Sequence, residues 1–131
     1  MTRQNIRSGG PFEDIYGYCR AVRIGDTIHV AGTCAAMDAL DPSLAGDTPA
    51  YDQAVSALGI IETALAEAGA SLVDVVRTTT FVTNIDDWEQ IARAHSEAFD
   101  TVRPAGTLLE VSRLIDPRMV VEIEVYAQLG G

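Results

Sequence analysis

The sequence predicts an α+β fold in which two helices pack on one face of a mixed, mainly antiparallel sheet. The first observation is the order of predicted elements: strand, strand, helix, strand, helix, strand, strand. The second is the closing strand, where apolar residues alternate with carboxylates, as in a sheet with one buried face. The third is that no alternating strand–helix units or Gly-rich phosphate turn of a doubly wound parallel sheet can be found. With 131 residues, a single domain spanning residues 1–131 is expected.

The N-terminal part is predicted to form an extended arm followed by a hairpin. Residues 2–12 are polar and contain glycines and a proline, which interrupt regular structure. Strands are predicted over residues 18–22 and 27–31. They are joined at Gly25-Asp26, because Gly and Asp tolerate the positive φ of a tight turn.

A long helix follows a loop that is predicted over residues 36–46. Apolar residues recur at steps of three and four between positions 50 and 68. Thr48 is the predicted N-cap and Pro49 the first helical residue, a position that proline favours. Gly69 is placed to end the helix, since glycine adopts the left-handed conformation common there.

The second half begins with a β-branched run, which predicts a strand over residues 73–83. Asp86 is then the predicted cap of a second helix, with Glu89 completing a capping box. His95 lies at the edge of the apolar stripe of this helix. We interpret it as a partly buried histidine that is hydrogen-bonded to a backbone group.

The closing stretch predicts two strands, over residues 106–112 and 119–127, joined by a turn at Asp116-Pro117. In the second strand, three aliphatic residues share one face, whereas Glu122 and Glu124 share the other. An unpaired buried charge is costly, so the carboxylate face meets water, a cleft or a partner subunit. An edge strand with a solvated face is the simpler alternative.

Composition excludes several functional classes. The formal net charge of −10 disfavours binding to nucleic acid or to an anionic membrane. All nine basic residues are Arg, so a Lys Schiff base or a Walker-type phosphate loop is excluded. The two cysteines and two histidines lack the spacing of a zinc site, and no metal is expected. No export signal or membrane-spanning run is visible, which predicts a cytoplasmic protein.

Two phrases of the chain together resemble the reactive intermediate deaminase family, also called the YjgF family. One phrase is residues 77–82. The other contains Pro104-Ala105, Glu110-Val111, Arg113-Leu114 and Glu122-Ile123-Glu124. The resemblance runs from about residue 15 to the C-terminus. It implies a chorismate-mutase-like fold, a homotrimer with a small-molecule cleft between each pair of subunits, and hydrolysis of enamines or imines without a cofactor.

The resemblance implies site residues position by position. Glu122 would position or activate water, while Tyr18 and the backbone of Gly32 would complete the cleft. Gly106 stands where the family has an Arg that binds the substrate carboxylate as a bidentate fork. Thr107 occupies the family's small hydroxyl position. Leu108 replaces a cleft Cys, and an Asn common in the second helix is Ala92 here.

The missing Arg leaves alternatives open. The substrate is larger than usual or lacks a carboxylate, or another Arg enters the cleft, with Arg20, Arg103 and Arg113 as candidates. The favoured hypothesis is a cofactor-free imine or enamine hydrolase with a non-standard substrate. The second is a non-catalytic ligand-binding or regulatory protein of the same fold. Ribonuclease activity, also attributed to this family, is disfavoured by the acidic charge.

Overall fold

A computed structural model describes residues 2–40 and 47–130. Within them, six strands form one sheet in the order β1-β2-β3-β6-β4-β5. Neighbours are antiparallel except β4 and β5, which are parallel. The sheet is therefore mixed and mainly antiparallel, as predicted. The strands are β1 Arg3–Ile6, β2 Ala21–Ile24, β3 Thr27–Thr33, β4 Val75–Val82, β5 Ala105–Glu110 and β6 Val121–Gln128.

Three α-helices accompany the sheet in the described ranges: α1 Glu13–Tyr16, α2 Ala50–Glu67 and α3 Trp88–Phe99. The long helix α2 packs against β3 and β6 and against α3. Its buried face, which includes Ala54, Leu58 and Ile61, shares one hydrophobic core with Val30 of β3 and Ile123 of β6. The period-3.6 face of the helix and the period-2 face of the strands meet here, which buries the apolar residues of both.

The face assignment of the closing strand is confirmed. Val121, Ile123 and Val125 are at most 1% exposed and form the centre of the core. Glu122 and Glu124 are half-buried on the opposite face of the sheet. The carboxylates therefore occupy the face that the two long helices do not cover.

Several predicted elements are corrected. Part of the predicted arm is the edge strand β1, which pairs with β2. The first predicted strand begins at residue 21 and not 18, because α1 and its Gly17 turn (φ 83°) precede it. The two closing strands are not neighbours, since β4 lies between β5 and β6 and pairs with both. The predicted turn at Asp116-Pro117 thus belongs to a crossing connection. Long-range pairing, which local patterns do not encode, decides this order.

The predicted helix caps also differ. Helix α2 begins one residue later than predicted, with Pro49 at the N-cap in place of Thr48. No capping box forms between Asp86 and Glu89, because residues 85–87 make a 3₁₀ turn before α3, capped by the side chain of Asn84. Of the predicted loop 36–46, residues 37–39 form a 3₁₀ turn, and residues 41–46 lie outside the described residues.

Candidate functional site

A cavity of about 760 Å³ opens on the sheet face that bears Glu122. The β-strands supply its floor, and α1 with the following turn supplies one wall. Three of the predicted site residues line it: Tyr18 after α1, Gly32 on β3 and Glu122 on β6. The pairing of β3 with β6 brings the last two together, although they are ninety residues apart in sequence.

Gly32 is needed for the position of Glu122. The pairing of β3 with β6 is irregular between Val30 and Thr33, so the backbone bulges at this glycine. A Cβ atom on Gly32 would lie 2.9 Å from Cδ of Glu122, closer than side chains tolerate. The glycine therefore lets the Glu122 carboxylate lie directly on the backbone of β3, at the cavity surface.

The buried Arg20 holds this wall of the cavity together. Its side chain is 8% exposed. One Nη donates to the carbonyl oxygen of Gly32 at 2.8 Å and to the Thr33 hydroxyl at 2.9 Å. The other Nη donates to the Tyr18 hydroxyl at 3.1 Å. One guanidinium thus holds two predicted site residues in place through hydrogen bonds.

Glu13 is the counter-charge of Arg20, at 4.0 Å between Nη2 and Oε2, and is itself 2% exposed. Burial opposes ionisation of Glu13. Hydrogen bonds from the Ser8 hydroxyl and the Gly10 and Ser8 amides nevertheless hold its pKa below the usual value, helped by the charge of Arg20. Local sequence patterns do not predict this cluster. A charged residue in a short, otherwise polar segment gives no signal of burial.

The thiol of Cys34 contacts the candidate catalytic carboxylate. Its Sγ lies 3.6 Å from Oε1 of Glu122. Burial raises the pKa of Cys34 to about 12, with the Glu122 charge and this hydrogen bond as further causes. The group is therefore a neutral thiol that donates to the carboxylate. It is not a thiolate nucleophile, because the thiolate is the reactive form.

The remaining predicted site residues lie elsewhere, in a groove of about 400 Å³ between α3 and the edge strand β5. Gly106, Thr107, Leu108 and Ala92 all line this groove. Apolar groups from α3, including those of Trp88 and Phe99, form much of its surface. The three positions at which the chain departs from the expected family pattern, Ala92, Gly106 and Leu108, therefore all lie in the groove.

His95 lies in the same groove, and its hydrogen-bond partner differs from the prediction. Nε2 is 2.8 Å from the Thr78 hydroxyl, a side chain and not a backbone group. Burial lowers the pKa of His95, which favours the neutral ring at pH 7. The Thr78 hydroxyl also lies under Gly106, where an added Cβ would come within 3.2 Å of it.

The cavity and the groove lie on opposite faces of the sheet. Gly106 pairs with Thr78, which pairs with the buried Val125, so position 106 faces the helices. Glu122 pairs with Phe81 on the other face. The structure therefore brings Tyr18, Gly32 and Glu122 together and puts Gly106 and Leu108 on the opposite face of the sheet. Thr107 pairs with Thr79, which pairs with Glu124, so it faces the same side as the two carboxylates but lies outside the cavity lining.

The three candidate replacements for the family's Arg are placed as follows. Arg20 is in the cavity wall, with its donors engaged as described. Arg103 lines the groove and pairs with Asp100 at 3.1 Å on the exposed surface. Arg113 is exposed and lines neither the cavity nor the groove. None of the three therefore presents an unengaged guanidinium to the Glu122 cavity of its own chain.

Among residues 2–40 and 47–130, no group of three or more His, Cys, Asp or Glu side chains is arranged to hold a metal ion. Across the same residues, no helix has the length and apolar character needed to cross a bilayer.

Known proteins are similar to this chain in sequence and in fold. The family model Endoribonuclease L-PSP matches residues 11–129. The uncharacterized protein SCO2049 of Streptomyces coelicolor is 39% identical over 128 residues, covering 98% of this chain and 93% of that protein. The crystal structure of Rv2704 from Mycobacterium tuberculosis, a member of the YjgF/YER057c/UK114 family, matches with a TM-score of 0.87 at 42% identity. It covers 98% of this chain and 100% of that one.

A more distant relative has an activity in its name. The 2-iminobutanoate/2-iminopropanoate deaminase of Dermatophagoides farinae is 27% identical over 97 residues, covering 74% of each chain. The family model spans nearly the whole chain, and the fold agrees with it. The protein therefore belongs to the Endoribonuclease L-PSP family, the group also known as the YjgF or reactive intermediate deaminase family.

Proposed function

We propose that the protein hydrolyses an imine or enamine to a carbonyl compound and ammonia, without a cofactor. The observation that carries this proposal is the Glu122 carboxylate, which lies on the Gly32 backbone at the surface of a cavity shared with Tyr18. A carboxylate at such a position can accept a proton from an attacking water. The deaminase name of the Dermatophagoides farinae relative supports the same reaction class.

The proposed reaction uses water, the substrate and Glu122. The water oxygen bonds to the imine carbon while Glu122 accepts one proton from the water. The resulting carbinolamine nitrogen takes this proton back from Glu122. The carbon–nitrogen bond then breaks as the hydroxyl proton passes to the nitrogen, so that the carbonyl group forms and ammonia leaves. Tyr18, held by Arg20, is placed to hydrogen-bond the substrate or the water.

We propose that the working cleft joins the Glu122 cavity of one subunit to the α3–β5 groove of the next, in a homotrimer. The separation of the two on opposite sheet faces supports a cleft between chains, since one chain cannot assemble it. Three apolar side chains at the cavity, Ile15, Tyr16 and Ile115, are 69–85% exposed, as expected for a surface that a partner covers. Light scattering should give three times the chain mass of 14.0 kDa at micromolar concentration, and a monomer mass would contradict this assembly.

A non-catalytic ligand-binding protein is the second candidate. It is favoured by the apolar groove with Gly106, which lacks the guanidinium that would orient a carboxylate substrate. The Cys34 thiol favours it too, because its hydrogen bond to Glu122 competes with a water for the same oxygen.

Endoribonuclease activity is disfavoured, because the net charge of −10 repels RNA phosphates. The free thiols of Cys19 and Cys34 suit the cytoplasm, which we propose as the location.

The proposed function is tested with imines generated in the assay by a flavin amine oxidase or an amino acid oxidase. Semicarbazide traps free imine, so a hydrolase lowers the rate of semicarbazone formation. We expect native protein to lower this rate and Glu122→Gln to leave it at the level without protein. Binding of an imine analogue without any hydrolysis of the imines would instead establish the ligand-binding alternative.

A further inference from the structure

We propose that the substrate is an iminium cation that carries an apolar substituent and no carboxylate. This inference rests on the proposed function and names its substrate class. The deciding observation is the balance of charge around the two surfaces that form the cleft. Glu122 and Glu124 both line the cavity, and neither makes an ion pair among the described residues.

The one guanidinium among the described residues lining the cavity, that of Arg20, does not offset these two charges. Its partner Glu13 is buried beside it and is held in the ionised form, so the pair is close to neutral. Its donors are directed at Gly32, Thr33, Tyr18 and Ser8. A substrate carboxylate would have to displace these bonds and lie close to Glu122 and Glu13. Both demands oppose an anion.

The groove supplies no compensating charge. Arg103 at its rim is paired with Asp100, and Gly106 has no side chain. His95 is partly buried and hydrogen-bonded to Thr78, and burial favours its neutral form. The other surfaces of the groove are mainly apolar, from residues such as Trp88 and Leu108. The groove is therefore suited to an uncharged hydrocarbon or aromatic substituent.

The charge balance also suits the chemistry. An iminium carbon is more electrophilic than that of a neutral imine, and its positive charge is attracted by two carboxylates at the partly desolvated cavity. The overall reaction is RCH=NH₂⁺ + H₂O → RCHO + NH₄⁺, which balances in atoms and charge. Glu122 receives one proton from water and returns it to nitrogen, so no oxidant, reductant or other reactant is required.

The test compares two imines that differ only in the carboxylate. A flavin amine oxidase forms one from 2-phenylethylamine, and an amino acid oxidase forms the other from phenylalanine. We expect kcat/KM, measured by the semicarbazide competition, to be at least about tenfold higher for the imine without the carboxylate. Equal or faster hydrolysis of the carboxylated imine would overturn the inference while leaving the proposed hydrolase function intact.

A binding measurement separates the two proposals if neither imine is hydrolysed. The probes are 2-phenylethylamine, a cation at pH 7, and 3-phenylpropanoate, an anion of similar shape. We expect only the cation to raise the melting temperature, by mass action on the folded state. If neither imine is hydrolysed, stabilisation by the cation alone supports the preference for a positively charged ligand and overturns the proposed hydrolase function. Stabilisation by the anion alone overturns the inference.

Two matched variants test whether the cavity carboxylates cause the preference for the imine without a carboxylate. Glu124→Gln removes one carboxylate from the cavity, and Glu62→Gln removes the same charge from an exposed site on α2. We expect the first to lower the preference for the amine-derived imine by about threefold or more, and the second to leave it unchanged, because exposed distant charges are screened. Equal effects of the two variants would mean that net charge and not the cavity selects the substrate, which would overturn the inference.

Discussion

The Glu122 cavity and the α3–β5 groove differ in how closely they follow the pattern expected of the family. The cavity keeps Tyr18, Gly32 and Glu122, and a buried Arg20–Glu13 pair fixes its wall. The groove has Gly106 and Leu108 where the resemblance implies an Arg and a Cys, and its surface is mainly apolar. The two regions lie on opposite faces of one sheet and share no lining residue among the described residues. The agreement with the family pattern is therefore concentrated in the cavity, and the departures from it are concentrated in the groove.

The largest effect on activity is expected when one region is inactivated in one chain and the other region is inactivated in another chain. Glu122→Gln should lower kcat about a hundredfold to ten-thousandfold, because the amide keeps the shape but cannot accept the proton. Leu108→Trp should fill the groove and also abolish turnover. If the cleft lies between subunits, mixing the two variants under conditions of subunit exchange should restore activity in about a quarter of the clefts.

Recovery is measured with the semicarbazide assay after dilution of a denaturant that allows exchange. Each variant subjected to the same treatment alone is the control. A mixture no more active than either variant would place the complete site within one chain, and would contradict the two-region cleft.

A difference in stability is expected next. Arg20→Met should lower the free energy of unfolding by about 3–5 kcal/mol, because it leaves Glu13 buried without its counter-charge. Arg103→Met, in the groove, removes an exposed ion pair with Asp100 and an exposed hydrogen bond to the carbonyl oxygen of the same residue, and should cost less than about 1 kcal/mol. Urea unfolding at one fixed protein concentration compares the two. Equal losses in the free energy of unfolding would contradict a larger contribution of the buried Arg20–Glu13 pair to stability.

The groove can be altered toward the family pattern. We expect native protein to hydrolyse 2-aminoacrylate, the small enamine acid of typical family members, slowly or not at all. Absence of a bidentate Arg–carboxylate contact should lower kcat/KM for 2-aminoacrylate by about ten- to a hundredfold. Gly106→Arg should recover part of this loss. Gly106→Ala is the control, since its Cβ meets the Thr78 hydroxyl in the same way without adding charge.

The assay couples a pyridoxal phosphate dehydratase acting on serine to pyruvate formation. Recovery by Gly106→Ala equal to that by Gly106→Arg would show that position 106 acts through packing and not through charge. A native rate equal to that of an Arg-bearing family member would show that this position does not select the substrate.

The smallest effect concerns pH. The folded protein holds the pKa of Glu13 below its ordinary value, so the carboxylate contributes stability above the unfolded pKa near 4.5. This contribution is lost as pH falls through the lower, folded pKa. The stability difference between native protein and Glu13→Gln should therefore shrink between about pH 5 and pH 3. Urea unfolding across this range measures it, with Glu62→Gln as the control. A difference independent of pH would show that Glu13 acts through its hydrogen bonds alone.

The sequence by itself determined the elements whose period is strong and local. The alternation of Val121, Ile123 and Val125 with Glu122 and Glu124 fixed which face is buried, because an unpaired charge in the core is too costly. The apolar period of residues 50–67 fixed the long helix. The two family phrases indicated the family, which the comparisons confirm. They also indicated the cavity residues Tyr18, Gly32 and Glu122, whose roles remain predictions.

Only the tertiary structure decided what depends on pairing distant segments. It inserted β4 between β5 and β6, and the register of these pairings puts Gly106 and Glu122 on opposite faces. It also buried Glu13 beside Arg20 and placed the Cys34 thiol on Glu122. No local pattern signals these contacts. A residue's own type sets the cost of burying it, but the partner that offsets this cost comes from another part of the chain.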